Sequence, residues 1–146
     1  MKRVLAAIDF SDVTNAVLDA AAALVKLSGG SLCVLHTEPP DPDFVGYEVG
    51  PQSVRDSVAQ GIKEDAHHLE AIRRRLIGAG VDPKCLLFHG PTVEKILEES
   101  GRFKADVIVI GSHEHGAFHH LLHGSVVDSL LTRAPCPVLV VPAGAK

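Results

Sequence analysis

Ala105-Asp-Val-Ile-Val-Ile110 runs straight into Gly111-Ser-His-Glu-His-Gly-Ala-Phe-His-His-Leu-Leu-His-Gly-Ser125, and the join decides how the chain is read. The first piece is short, β-branched and nearly continuous in apolar residues, the pattern of a strand covered on both faces. Beyond the join, Val126, Val127, Leu130 and Leu131 recur at helical spacing, which makes Ser125 an N-cap. A strand, a loop opened by Gly111 and a helix entered through Gly124 and Ser125 would aim free backbone N–H groups at one point. Such points attract anions, phosphate above all. Glycines at strand ends are also ordinary turn residues, and that plainer reading stands beside the first.

Working outward, the same strand-then-helix pattern repeats. Lys2 to Asp9 is a mostly apolar strand ending in Ile8-Asp9-Phe10-Ser11. Ser11 or Asp12 then caps a helix whose Val13, Val17, Ala20, Leu24 and Leu27 form one apolar face, and Gly29-Gly30 stops it. Ser31 to Thr37 is a second buried strand, broken by Glu38-Pro39-Pro40-Asp41-Pro42, and the Pro- and Gly-rich residues up to Pro51 read as a surface loop. From Gln52 a long helix carries Val54, Val58, Ile62, Leu69, Ile72 and Leu76 on one side and ends at Gly78 and Gly80. Lys84 to His89 is a third strand. The helix after Gly90-Pro91-Thr92 turns Val93, Ile96 and Leu97 inward and Glu94, Glu98 and Glu99 outward. The helix from Ser125 runs to about Arg133, and Val138 to Val141 is a last strand beyond Pro135-Cys136-Pro137.

This alternation specifies an α/β fold: one domain over residues 1–146, an open parallel sheet with helices on both faces and right-handed crossovers. Its ligand site belongs beyond the carboxyl ends of the strands, where the winding reverses. If the first and fourth strands are neighbours there, Asp9 and Gly111 lie together.

A chain of 146 residues can bury roughly two-thirds of its unfolded surface without disulfide or metal. With 46% hydrophobic and 22% charged residues and no apolar run near ~20 residues, no membrane span is expected, and the chain reads as cytoplasmic. Cys33, Cys85 and Cys136 are too few and too scattered for a disulfide framework or a Cys zinc site; buried free thiols are expected. A net charge of -4 without a basic cluster argues against nucleic acid, and Arg73, Arg74 and Arg75 point around a helix at different angles.

Ile8-Asp-Phe-Ser11, Val34-Leu-His36, Gly111-Ser-His113, His123-Gly-Ser-Val126 and Ala134-Pro-Cys-Pro-Val-Leu-Val-Val-Pro142 together resemble the universal stress protein family, over nearly the whole chain. The resemblance implies five strands in the order 3-2-1-4-5 (an adenine nucleotide alpha hydrolase-like sheet), a homodimer paired through the C-terminal strand 138–141, and a further protein partner of unstated identity. It also implies ATP or a related adenine nucleotide. Carried over position by position, base and ribose would meet Ala7, Ile8, Asp9, Thr37 and Ile110, and phosphates Gly111, Ser112, His113, Gly124, Ser125, Val126 and Val127.

In nucleotide-binding members the pattern is Gly, two residues, Gly, nine residues, then Gly-Ser or Gly-Thr; here Gly111 and Gly124-Ser125 fit, and Glu114 replaces the middle glycine. A carboxylate ~4 Å from a phosphate is repelled by about 4 kcal/mol at an effective dielectric near 20, whereas a helix terminus attracts an anion by roughly 0.3 to 1. An inward Glu114 therefore defeats binding. Turned to solvent, it costs only the glycine's backbone freedom, about 1 to 2 kcal/mol, and bridged by Mg²⁺ or Mn²⁺ it becomes an attachment. An interaction module that has lost its nucleotide is thus the second reading.

Neither Lys nor Arg occurs between Asp106 and Thr132, and no base stands at a defined spacing from Ser112 or Ser125. Binding with at most slow hydrolysis fits that better than an efficient phosphoryl-transfer enzyme. Asp9 as the phospho-acceptor of a receiver-like domain would want a carboxylate cluster, and only Asp12 is near. Five of nine histidines fall between His113 and His123; Glu114 with the i, i+4 pair His119 and His123 is a third reading, a Zn²⁺-type site, against the simpler view of exposed loop residues. His67-His68 reads as a solvated helix face.

Overall fold

The computed structural model describes residues 1–38, 52–112 and 125–144. The elements follow in the order β1 (Arg3–Ile8), α1 (Thr14–Ser28), β2 (Ser31–Glu38), α2 (Gln52–Gly78), β3 (Lys84–His89), α3 (Thr92–Phe103), β4 (Val107–Ser112), α4 (Ser125–Arg133) and β5 (Val138–Pro142). All strand pairs are parallel, in the order β3-β2-β1-β4-β5. The Pro-rich residues 39–51 and the histidine-rich residues 113–124 lie outside the described residues.

Register and alternation divide the sheet into two faces. Ala7 pairs with Leu35 on β2 and with Ile110 on β4, and Ile8 pairs with His36. Val4, Ala6, Ile8, Val34 and Val109 join α1 and Leu69 and Leu76 of α2 in one core. Leu5, Ala7, Cys33, Leu35, Ile108 and Ile110 join α3 and α4 in the other. Both faces are covered, which is why the strands read as unbroken apolar runs.

The helices bury narrower stripes than their apolar residues suggest. On α1 the buried set is Thr14, Val17, Leu18, Ala21, Ala22 and Val25, whereas Leu27 is 87% exposed. Two residues past Val25 is 200° around the helix, so Leu27 cannot share that stripe. Leu131 is turned out in the same way, one step round from the fully buried Leu130, and Ile62 is also exposed. The side chains of Val54 and Val58 fall outside the description. Glu99 reverses its expected direction. It lies three residues after Ile96, on the buried side of α3, and is 5% exposed with Arg102 Nη1 3.1 Å from its Oε1, so the buried charge is paired.

Helix starts differ from expectation too. Val13, not Ser11 or Asp12, occupies the N-cap of α1 and makes no side-chain cap; Ser11 contributes its carbonyl to Thr14 N at 3.1 Å. Ser125 is the first residue of α4 rather than the cap before it. The C-terminal stop of α1 is as read, with Gly29 left-handed at φ 63°.

At the amino edge, Asp106 Oδ2 accepts from the backbone N–H groups of Lys2 and Arg3 at 2.9 and 2.8 Å, tying the entrance of β4 to β1. Those two bonds hold its carboxyl below the usual range. The three cysteines are free; Cys33 is buried, Cys85 and Cys136 partly so. Burial pushes the Cys33 thiol up to about 12 and raises the other two as well. No described helix is long and apolar enough to cross a membrane.

Candidate functional site

The winding reverses between β1 and β4, neighbours whose connections leave in opposite directions, β1 toward β2 and β4 toward β5. Continuing the row Leu35, Ala7, Ile110 by two residues brings Thr37, Asp9 and Ser112 to the carboxyl rim, with Asp9 just past the end of β1. Asp9 Oδ1 accepts from Ser11 N at 3.1 Å and Ser11 Oγ at 2.5 Å, a turn that keeps its carboxylate at the rim. Thr37 is 7% exposed and its Oγ1 has no hydrogen-bond partner. A buried hydroxyl without a partner costs roughly 1 to 3 kcal/mol, and this one stands at the end of a strand on the α3/α4 side. Thr14 Oγ1 is the other described orphan, in the first turn of α1 on the opposite face.

Of the residues expected to form the site, Ala7, Asp9, Thr37, Ile110 and Ser112 come together on this rim. Ile8 and Gly111 do not share its face. Ile8 packs its side chain with α1, and Gly111 belongs to β4 rather than opening the loop after it. A Cβ on Gly111 would stand 2.4 Å from Val13 Cγ1, so the glycine is there to admit α1. Val126 and Val127 pack half-buried against the α3/α4 core, leaving only their backbone N–H groups for an anion. His113, Glu114, His119, His123 and Gly124 lie outside the described residues.

The opposite side of the same rim holds a group that reading the sequence missed. His36, 3% exposed, places Nδ1 2.9 Å from the Ile8 carbonyl oxygen. Its Nε2 faces Glu38 Oε2 at 3.2 Å and Asp65 Oδ2 at 3.7 Å. The Phe10 ring lies on the imidazole, centroids 4.1 Å apart, and meets the ring of His68 edge-on at 5.1 Å. Phe10 takes a left-handed φ of 59° to do so. The available signal was a histidine at a core-facing position, two residues after Val34. The three arginines separate as expected: Arg73 meets Glu70 and Asp82, Arg74 meets Glu70, and Arg75 meets Asn15 and Asp19.

A depression of about 360 Å³, lined by Cys33, Lys84, Phe88 and Arg102 among others, lies against β3 and α3, not at the exit of β1 and β4.

A family model described as the universal stress protein family matches residues 1–142. A universal stress protein of Thermus aquaticus is 31% identical over 142 residues, covering 96% of this chain and 98% of the relative. Among solved structures, MJ0577, a universal stress protein of Methanocaldococcus jannaschii, superposes with a TM-score of 0.78 at 25% identity, over 97% of this chain and 95% of the other. A universal stress protein of Archaeoglobus fulgidus in complex with dAMP gives 0.67 at 22% identity, covering 96% of each chain. An Arabidopsis thaliana family protein with AMP bound gives 0.67 at 20% identity, over 97% and 92%.

Proposed function

Because the chain belongs to the universal stress protein family, we propose that the Thr37, Asp9 and Ser112 rim binds ATP or a related adenine nucleotide without efficient turnover. The observation that carries the reading is the buried, partnerless Thr37 hydroxyl at the carboxyl end of β2. It is supplemented by the AMP and dAMP held by relatives of the same fold. Ala7 and Ile110 form the apolar floor, Asp9 takes a ribose hydroxyl, and the phosphates lie toward the start of α4, where its first N–H groups are unpaired within the helix. With no Lys or Arg from 107 to 131, transition-state charge has no side-chain cation from this loop, and the site holds its ligand rather than cleaving it. The bound form acts on partners through a homodimer paired along β5, whose Leu139 is 40% exposed at the sheet edge.

Equilibrium titration of the full chain with ATP, AMP and GTP, with and without Mg²⁺, tests this. Adenine nucleotides bind the native chain in preference to GTP, and Asp9→Asn weakens them about tenfold, roughly 1.4 kcal/mol. Glu114→Gly tightens or restores binding of the triphosphate. An absence of binding in both native and Glu114→Gly chains would overturn the proposal; recovery only in Glu114→Gly would make the native protein the nucleotide-free interaction module.

A further inference from the structure

The cluster on the α1/α2 side of the rim sets one buried imidazole nitrogen against two carboxylates. A carbonyl oxygen only accepts, so the 2.9 Å contact with Ile8 O puts a proton on His36 Nδ1. In a neutral ring, Nε2 is then a bare lone pair, aimed at two carboxylate oxygens 3.2 and 3.7 Å away. Three acceptors facing one another repel. Among the described residues no Lys or Arg pairs with Glu38 or Asp65, so within this cluster a second proton on the ring or a metal ion would relieve that repulsion.

The geometry favours the metal. A proton on Nε2 reaches Glu38, but Asp65 at 3.7 Å is beyond hydrogen-bond length, and one ring charge leaves two carboxylates a full charge in excess. A divalent ion with a neutral imidazole and two carboxylates balances to zero. The three ligand atoms lie within 4.8 Å of one another, and the two Nε2···O distances bracket the roughly 3.4 Å edge of a tetrahedron with metal bonds of about 2.1 Å. An Nδ1–H held by a backbone carbonyl is also how metal-binding imidazoles are oriented, and the Phe10 ring fixes the plane of this one. The His36 side chain is 4% exposed while that of Glu38 is 47% exposed, which gives a rigid buried ligand and a solvent-side ligand through which an ion can enter.

We propose that His36 Nε2, Glu38 and Asp65 bind a divalent transition-metal ion of the Zn²⁺ class, with the fourth position left to water. This site lies on the sheet face opposite the Thr37 row and does not rest on the nucleotide reading.

Metal-stripped full-length protein titrated with Co²⁺ and displaced by Zn²⁺ provides the test, read by the visible absorption of Co²⁺ and by the rise in Tm with Zn²⁺. The native chain and the His119→Ala, His123→Ala double variant both bind one ion at the site with tetrahedral absorption and the same Tm rise. Asp65→Asn and Glu38→Gln, each shown folded by its metal-free melt, lose affinity by more than the roughly 10- to 100-fold that second-shell changes cost. Glu38 is the more exposed of the two, so its variant keeps the test decisive if Asp65→Asn destabilises the fold. Native affinity in both carboxylate variants, with binding abolished only by the double histidine change, would overturn the proposal. So would an imidazole NMR signal showing His36 Nε2 still protonated at saturating Zn²⁺, which would make the cluster an ion pair.

Discussion

The two sides of one rim differ although the same three strands build both. On the α1/α2 side the row His36, Ile8, Gly111 is closed: Phe10 lies over the imidazole, Val13 fills the space beside Gly111, and carboxylates from β2 and α2 face the ring. On the α3/α4 side, one residue further along each strand, Thr37, Asp9 and Ser112 end in small polar groups, one of them buried without a partner. A parallel strand hands alternate residues to opposite faces, so a step of one position separates a packed, charged corner from a polar shelf. The lesson is that adjacent residues in a motif need not serve the same ligand.

The largest expected effect comes from filling the closed side. Gly111→Ala places a methyl 2.4 Å from Val13 Cγ1, and overpacking of this kind costs about 3 kcal/mol, the upper end of the usual 1 to 3. Thermal melts read that as a fall of roughly 6 to 12 °C for a domain near this size. Adding Val13→Ala recovers part of the loss in a double-mutant cycle, and additive effects would show that Gly111 is small for another reason.

Phe10→Ala comes next. The ring is half-buried, so removing it costs about 2 kcal/mol, less than a fully buried Phe. Phe10→Gly discards the same ring but relieves the left-handed backbone, and is less destabilised than Phe10→Ala by about 1 kcal/mol. Equal melting temperatures for the two would break the link between that backbone and the ring's seat on His36.

The smallest effect belongs to the open side. Thr37→Val removes an orphan hydroxyl and keeps its shape, so the unliganded chain is unchanged or gains up to about 1 kcal/mol in denaturant unfolding. A loss beyond 1 kcal/mol would mean that this hydroxyl is already satisfied and the shelf is not waiting for a ligand.

The strands and helices were legible because both faces of the sheet are covered, and each strand therefore shows as an apolar run between turn residues. That same continuity hid the finer information. Val107 to Ile110 has no polar alternation, so nothing in the sequence says which face each residue takes; Ile8 was grouped with Ala7 and Ile110, and Gly111 with Ser112, although each belongs to the other face. The strand order came with the family resemblance, not with periodicity. Thr37 and Ser112 entered with the same resemblance, position by position, and the strand ends alone led only to Asp9 and Gly111. His36 was seen only as part of a pattern. Its partner Asp65 is 29 positions away, and only the placement of α2 against the sheet brings the two within 3.7 Å. Glu99 was misassigned for a related reason: a glutamate three residues from Ile96 sits on the inner stripe, and its pairing with Arg102 makes burial tolerable.

The thiols carry a further consequence. Peroxides and electrophiles react with thiolate, and burial pushes the Cys33 thiol up to about 12, away from that form at neutral pH. Burial raises Cys85 and Cys136 in the same direction. Burial thus holds the three thiols toward the protonated form, which enters sulfenic acid and disulfide chemistry least readily.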